Sequence, residues 1–153
     1  MSRFVKPETV RLALSAGDWI LVKGRLNAGE HDWLFDESML KDAQGAAVLG
    51  ADGKPILDPV KTSRAIILAY LVDWSLTTDD GQPVDIRHQP PEFIWSVIGD
   101  LDFETRQEIL EAVTAHDTRA RAAAAEEKKR RMSATGSAST SRLPAAAAGG
   151  TNG

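Results

Sequence analysis

Cysteine is missing from this chain altogether, which excludes disulfides, thiolate-bound zinc and thiol nucleophiles and fits a reducing compartment. Long apolar runs are missing too. The longest, AIILAYLV from Ala65 to Val72, falls far short of the roughly twenty residues that a membrane-spanning helix needs. The opening MSRFVKPETVRLAL is broken by Arg3, Lys6, Glu8 and Arg11, leaving no apolar stretch for a secretory signal. Together these shortfalls predict a soluble protein of the cytoplasm with no membrane partner. Aromatic residues are scarce at 6%, yet Trp19, Trp33, Trp74 and Trp95 are among them. With the aliphatic stretch Arg64 to Leu76 they are enough to build a core, and 153 residues suit one ordinary domain.

Charge is unevenly placed. Residues 1–118 hold eleven Lys and Arg against twenty Asp and Glu, whereas residues 119–153 hold seven against two. An acidic body, 1–118, is therefore expected to precede a basic helical extension, 119–132, and a low-complexity disordered tail, 133–153.

The periodicity predicts an α+β body. Val10, Leu12 and Leu14 alternate with Arg11 and Ala13, SAGD follows as a connection, and Trp19 to Leu26 resumes the alternation, so the region reads as a β-hairpin. Gly17 can supply the positive φ that the reversal needs. Asn27 followed by Glu30 marks a capping box opening a helix over about 28–40, with Trp33, Leu34 and Leu40 toward the sheet. The stretch from Lys41 to Ser63, rich in Gly and Pro, reads as a mobile loop with a small hairpin at Asp52-Gly53. RAIILAYLVDWSL fits two periods. As a strand it aligns Ile66, Leu68, Tyr70, Val72, Trp74 and Leu76; as a helix it gathers Ile67, Tyr70, Leu71 and Trp74. Its β-branched and aromatic content favours the strand, which would join the hairpin in a small antiparallel sheet. After Pro90 the spacing of Phe93, Ile94, Val97, Ile98 and Leu101 is helical, and a further helix capped by Asp102 carries Phe103, Ile109, Leu110 and Val113.

No catalytic signature stands out. His31-Asp32 and His116-Asp117 invite a metal phosphohydrolase reading, but no histidine precedes the first pair and no aspartate follows the second, so the ligand order fails. Both histidines then read as polar helix positions. Asp79, Asp80 and Asp85 around Gly81 lack the spacing and the terminal Glu of a calcium loop and read as a turn. Gly45, Gly50 and Gly53 precede no Gly-Lys-Ser/Thr helix start, so they form no phosphate loop. EEKKRR, 126–131, has no stacking aromatic within it and sits on an acidic protein, which favours a solvated helix face over nucleic-acid binding. Neither cofactor nor metal is expected. A tryptophan is first a core residue, but Trp19 shares its strand face with Lys23 and Arg25, opposite Ile20 and Val22. An aromatic anchor beside two cations has the composition of a binding hot spot, so these three are the candidate partner-binding residues.

ETVRLALSAGDWILVKGRLNAGE, LAYLVDWSLTTDDGQPV and GDLDFETRQEILEAVTAHD together resemble the tail assembly chaperone-like proteins of long-tailed bacteriophages. The most specific elements are Gly17-Asp18-Trp19, Leu26 to Glu30, Asp73-Trp74-Ser75-Leu76, and Asp80-Gly81 with Pro83. The resemblance implies a non-enzymatic protein of the infected host cytoplasm, absent from the finished virion. Such a protein binds the tape-measure protein, with the tail-tube protein and further copies of itself as additional expected partners, and keeps the tape measure soluble during tail-tube assembly. Such families often exist in two lengths through a translational frameshift. The alternative function is a structural tail or head-tail connector protein retained in the virion.

Overall fold

The computed structural model describes residues 2–140. The chain divides into two compact units, the first ending at Asp117 and the second beginning at Thr118.

The first unit is an α+β body. Strand β1 (Thr9–Ala13) turns through a 3-10 segment at Ser15–Gly17 into β2 (Trp19–Lys23). Ala16 and Gly17 both take positive φ, 57° and 79°, a conformation without cost only for the glycine. Leu14 and Asp18 close the reversal through an amide-to-carbonyl bond of 2.8 Å. The antiparallel register sets Leu12 opposite Ile20 and Arg11 opposite Leu21. Strand β3 (Leu71–Trp74) joins the other edge of β2, giving the order β1-β2-β3.

The β2–β3 register shifts between Leu21 and Val22, so that Val22 pairs with Leu71 while Ile20 pairs with Trp74. The extra residue, Val72, reverses the alternation. Leu71 and Trp74, three positions apart, consequently both face inward, as their 5% exposures show. The bulge is what lets a strand this short deliver two large side chains to the core.

Helix α1 (Ala28–Ser38) starts at the expected capping box: Asn27 Oδ1 accepts from the Glu30 amide at 2.9 Å, and Glu30 Oε1 accepts from the Asn27 amide at 3.1 Å. Leu34 is buried and Trp33 half-buried against the core. The helix stops at Ser38, however, and Leu40 is exposed. Met39 is already extended and pairs with Leu57 in a bridged ribbon that includes Lys41 with Ala47 and Leu49 with Pro55. The small hairpin at Asp52-Gly53 lies in this ribbon, closed by bonds between Gly50 and Lys54 and between Gly50 and Gly53.

The main correction concerns residues 59–76. Helix α2 (Pro59–Tyr70) occupies most of the stretch expected to be a strand, and it also takes in Pro59–Ser63 from the expected loop. Local chemistry explains why. Asp58 Oδ1 accepts from the amides of Val60 and Lys61 at 2.9 and 3.3 Å, and Pro59, with its φ preset, fills the first helical turn. Ala65, Ile67, Ala69 and Tyr70 are buried. The second half of the helix, 65–70, has no exposed residue, so its aliphatic content shows no polar face there and imitates a strand.

Helix α3 (Pro91–Gly99) buries Ile94 and Ile98, and α4 (Phe103–Thr140) buries Ile109 and Val113. Phe93 and Phe103, expected on the apolar faces, are 42% and 62% exposed, and Val10 at the edge strand is exposed as well. Asp102 caps α4, with Oδ1 accepting from the Thr105 amide at 2.7 Å and Oδ2 from its hydroxyl at 2.8 Å. These bonds, the backbone one first, hold the Asp102 carboxyl below the usual aspartate range. The cap therefore contributes stability above the unfolded-state pKa and loses it as pH falls through the lower folded value. Asp102→Ala should accelerate hydrogen exchange at the Thr105 amide at neutral pH, and the difference from wild type should vanish once the pH has fallen below that folded value.

In the second unit α4 carries the pairs Glu126–Lys129 (3.6 Å) and Glu127–Arg131 (2.7 Å), so part of the basic run is neutralised along its own helix. The helix continues through 133–140, which composition assigned to the disordered tail. The remainder of that tail, 141–153, lies outside the described residues. Among the described residues no helix is long and apolar enough to cross a membrane.

Candidate partner-binding face of the sheet

The sheet has two unlike faces. Ile20 and Val22, both fully buried, point into the core shared with the helices. Trp19, Leu21 and Lys23 alternate onto the other face and are half-buried. Diagonal to Trp19 on that face is Arg11 of β1, whose guanidinium lies 4.0 Å from the centre of the indole ring. Opposite Leu21 stands Asp73, which pairs with Arg87 at 2.9 Å.

The position of Trp19 is set by its backbone. Its amide donates to Ser75 Oγ at 2.9 Å, its carbonyl accepts from the Ser75 amide at 3.0 Å, and Ser75 Oγ donates to Asp18 Oδ1 at 2.9 Å. Asp18-Trp19 and Trp74-Ser75 thus clasp the open end of β2 to the end of β3. A tryptophan held this way loses little further conformational entropy on binding, which lowers the cost of using it as an anchor.

The three sequence-selected residues do not form one cluster. Lys23 forms an ion pair with Glu30, the same carboxylate that completes the α1 cap. Arg25 lies beyond the end of β2, exposed. With Lys6, Glu8, Glu30 and Val72, Lys23 and Arg25 line a cleft of about 350 Å³, a mixed-charge setting. Trp19 is not part of that cleft; its partner is Arg11. Sequence reading passed over Arg11, although the hairpin register carries the signal: with Ala13 opposite Trp19, Arg11 becomes its same-face diagonal neighbour.

The two His-Asp pairs differ sharply. Both lie on helices, as expected, but His31 and Asp32 are exposed on α1, whereas His116 and Asp117 on α4 are buried. His116 Nε2 donates to the Lys23 carbonyl at 2.9 Å; since a carbonyl only accepts, that nitrogen carries the proton. Tyr70 donates to Asp117 Oδ1 at 2.6 Å and meets the His116 ring edge-on, with centroids 5.4 Å apart. This cluster ties α4 to α2 and to the end of β2. Among the described residues no group of three or more His, Cys, Asp or Glu side chains is arranged to hold a metal ion. The Asp79-Asp80-Gly81 segment is a turn, in which Gly81 (φ 77°) donates to Thr78 and Thr78 donates to Gln82, each at 2.9 Å.

Comparison with protein families, with curated proteins and with solved structures returns no match for this chain.

Proposed function

We propose that this protein is a non-enzymatic tail assembly chaperone of a long-tailed bacteriophage, which binds the tape-measure protein in the host cytoplasm and keeps it soluble while the tail tube forms. The observation that carries the reading is the Arg11–Trp19–Leu21 strip: an aromatic anchor stacked beneath a cation, on the sheet face opposite the helical core. Arg and Trp are enriched among residues that dominate binding energies, and this pair is preorganised by the Asp18–Ser75 clasp. The motifs Gly17-Asp18-Trp19 and Asp73 to Leu76, on which the family resemblance rests, include the residues that build the clasp.

The test is co-expression with the longest helical protein encoded by the same phage, followed by solubility and pull-down measurements. Trp19→Ala combined with Arg11→Ala should weaken co-purification by about tenfold or more, near 1.4 kcal/mol, while the circular dichroism spectrum stays unchanged. Removing residues 133–153 should do much less, because that segment contains no aromatic anchor. Normal binding by the double variant, with binding abolished by the truncation, would reverse these roles. Recovery of the protein in purified virions would make it a structural component instead.

A further inference from the structure

A second surface has a more specific chemistry than the sheet face. In the body, the first turns of α2, the middle of α3 and the start of α4 enclose a groove of about 280 Å³. Its apolar lining includes Ile67, Leu110 and Trp95, and Val60 on its α2 side is 76% exposed. Arg106 is the one charged residue in that lining. A second cation stacks on one of the lining residues: the Arg64 guanidinium lies over the Trp95 ring, 5.3 Å from its centre, as Arg106 lies over Phe103 at 5.6 Å.

These two guanidiniums are unusual for what they lack. Among the described residues neither has a carboxylate partner, although residues 1–118 contain nearly twice as many acids as bases. Arg64 lines a small separate cleft with Asp36 and Glu37, and of these Asp36 is bonded to Lys41 at 3.2 Å. Stacking on an aromatic face orients a guanidinium while leaving its N–H edge available, and that edge matches a carboxylate in bidentate geometry. An apolar groove with one such donor in its lining and another stacked on its Trp95 is complementary in charge to an acidic ligand.

We propose that this groove docks an acidic amphipathic helix of a partner protein. Apolar side chains at i, i+3 or i+4, and i+7 would rest on Val60, Leu110 and Trp95, and flanking carboxylates would engage Arg64 and Arg106. The three surrounding helices offer no unpaired strand edge here, so an extended peptide would gain no backbone ladder. The inference is independent of the chaperone reading, and of the sheet face on which that reading rests.

The test uses the isotope-labelled full chain and two synthetic helical peptides that share one leucine stripe, one flanked by Glu and the other by Lys. The Glu peptide should shift the Trp95 indole and the Ser63 and Gln107 amides, leave the Trp19 indole in place, and bind roughly tenfold or more tighter than the Lys peptide. Arg64→Glu with Arg106→Glu should reverse that preference. Val60→Glu, at a position too exposed to disturb folding, should by itself weaken the Glu peptide. Equal binding of the two peptides, shifts centred on Trp19, or a Val60→Glu protein that binds as wild type would overturn the proposal. So would a short oligothymidine that produced the Trp95 shifts when the Glu peptide did not, since the groove would then be a nucleic-acid site.

Discussion

Trp74→Ala is expected to destabilise the body by about 3–5 kcal/mol, the range for deleting a large buried aromatic ring. Trp74 is 5% exposed, pairs across the sheet with Ile20, and donates its indole N–H to the Val84 carbonyl at 2.9 Å. Truncation therefore opens a cavity beneath the central strand and also removes a hydrogen bond that holds the segment after the Thr78–Gln82 turn. Set against a total stability of roughly 5–15 kcal/mol, such a loss leaves a largely unfolded or aggregating protein. Trp74→Phe separates the two contributions: it keeps most of the ring volume and leaves the Val84 carbonyl without its donor, for a cost of about 1–3 kcal/mol. Urea denaturation of both variants measures the difference. An unchanged midpoint for Trp74→Ala would mean that the ring is not packed as described.

His116→Ala is expected to have the second largest effect, about 2–4 kcal/mol, combining an unsatisfied Lys23 carbonyl with the lost edge-on contact to Tyr70. The comparison residue is His31, exposed on α1, whose replacement should stay within about 0.5 kcal/mol. A double-mutant cycle of His116→Ala with Tyr70→Phe should show coupling, because both side chains belong to the cluster that joins α2, α4 and the end of β2. Equal effects at His31 and His116 would remove the structural role assigned to that cluster.

Local signals were legible where they depend on neighbouring residues alone. Asn27 and Glu30 specify a capping box through short-range hydrogen bonds, Gly17 permits the reversal after β1, and Asp102 marks the start of α4; each lies where its chemistry requires. Tyr70 and Leu71 show the limit. They are adjacent and both buried, yet the first ends a helix and the second begins a strand. Burial on several sides removes the polar face that would reveal the period, so apolar content in this stretch could not separate the two states. The Asp58-Pro59 start signal lies in the stretch whose Gly and Pro content reads as a loop.

The candidate site divides along the same line. That Trp19 and Lys23 share a strand face follows from a period of two, a property of the backbone. That Lys23 is engaged by Glu30, that Arg11 stacks on Trp19, and that Arg64 of α2 stacks on Trp95, which lines a groove with Arg106, follows from contacts between different elements. Sequence by itself determined the hairpin, its two faces, the caps and the acidic body, because each arises from interactions within a few residues. Tertiary structure alone decided that α2 ends in β3, that a bulge at Val72 turns both Leu71 and Trp74 inward, and that of two His-Asp pairs only one is buried. Those outcomes depend on which surfaces exclude water together, and that exclusion exists only once the helices have closed over the sheet.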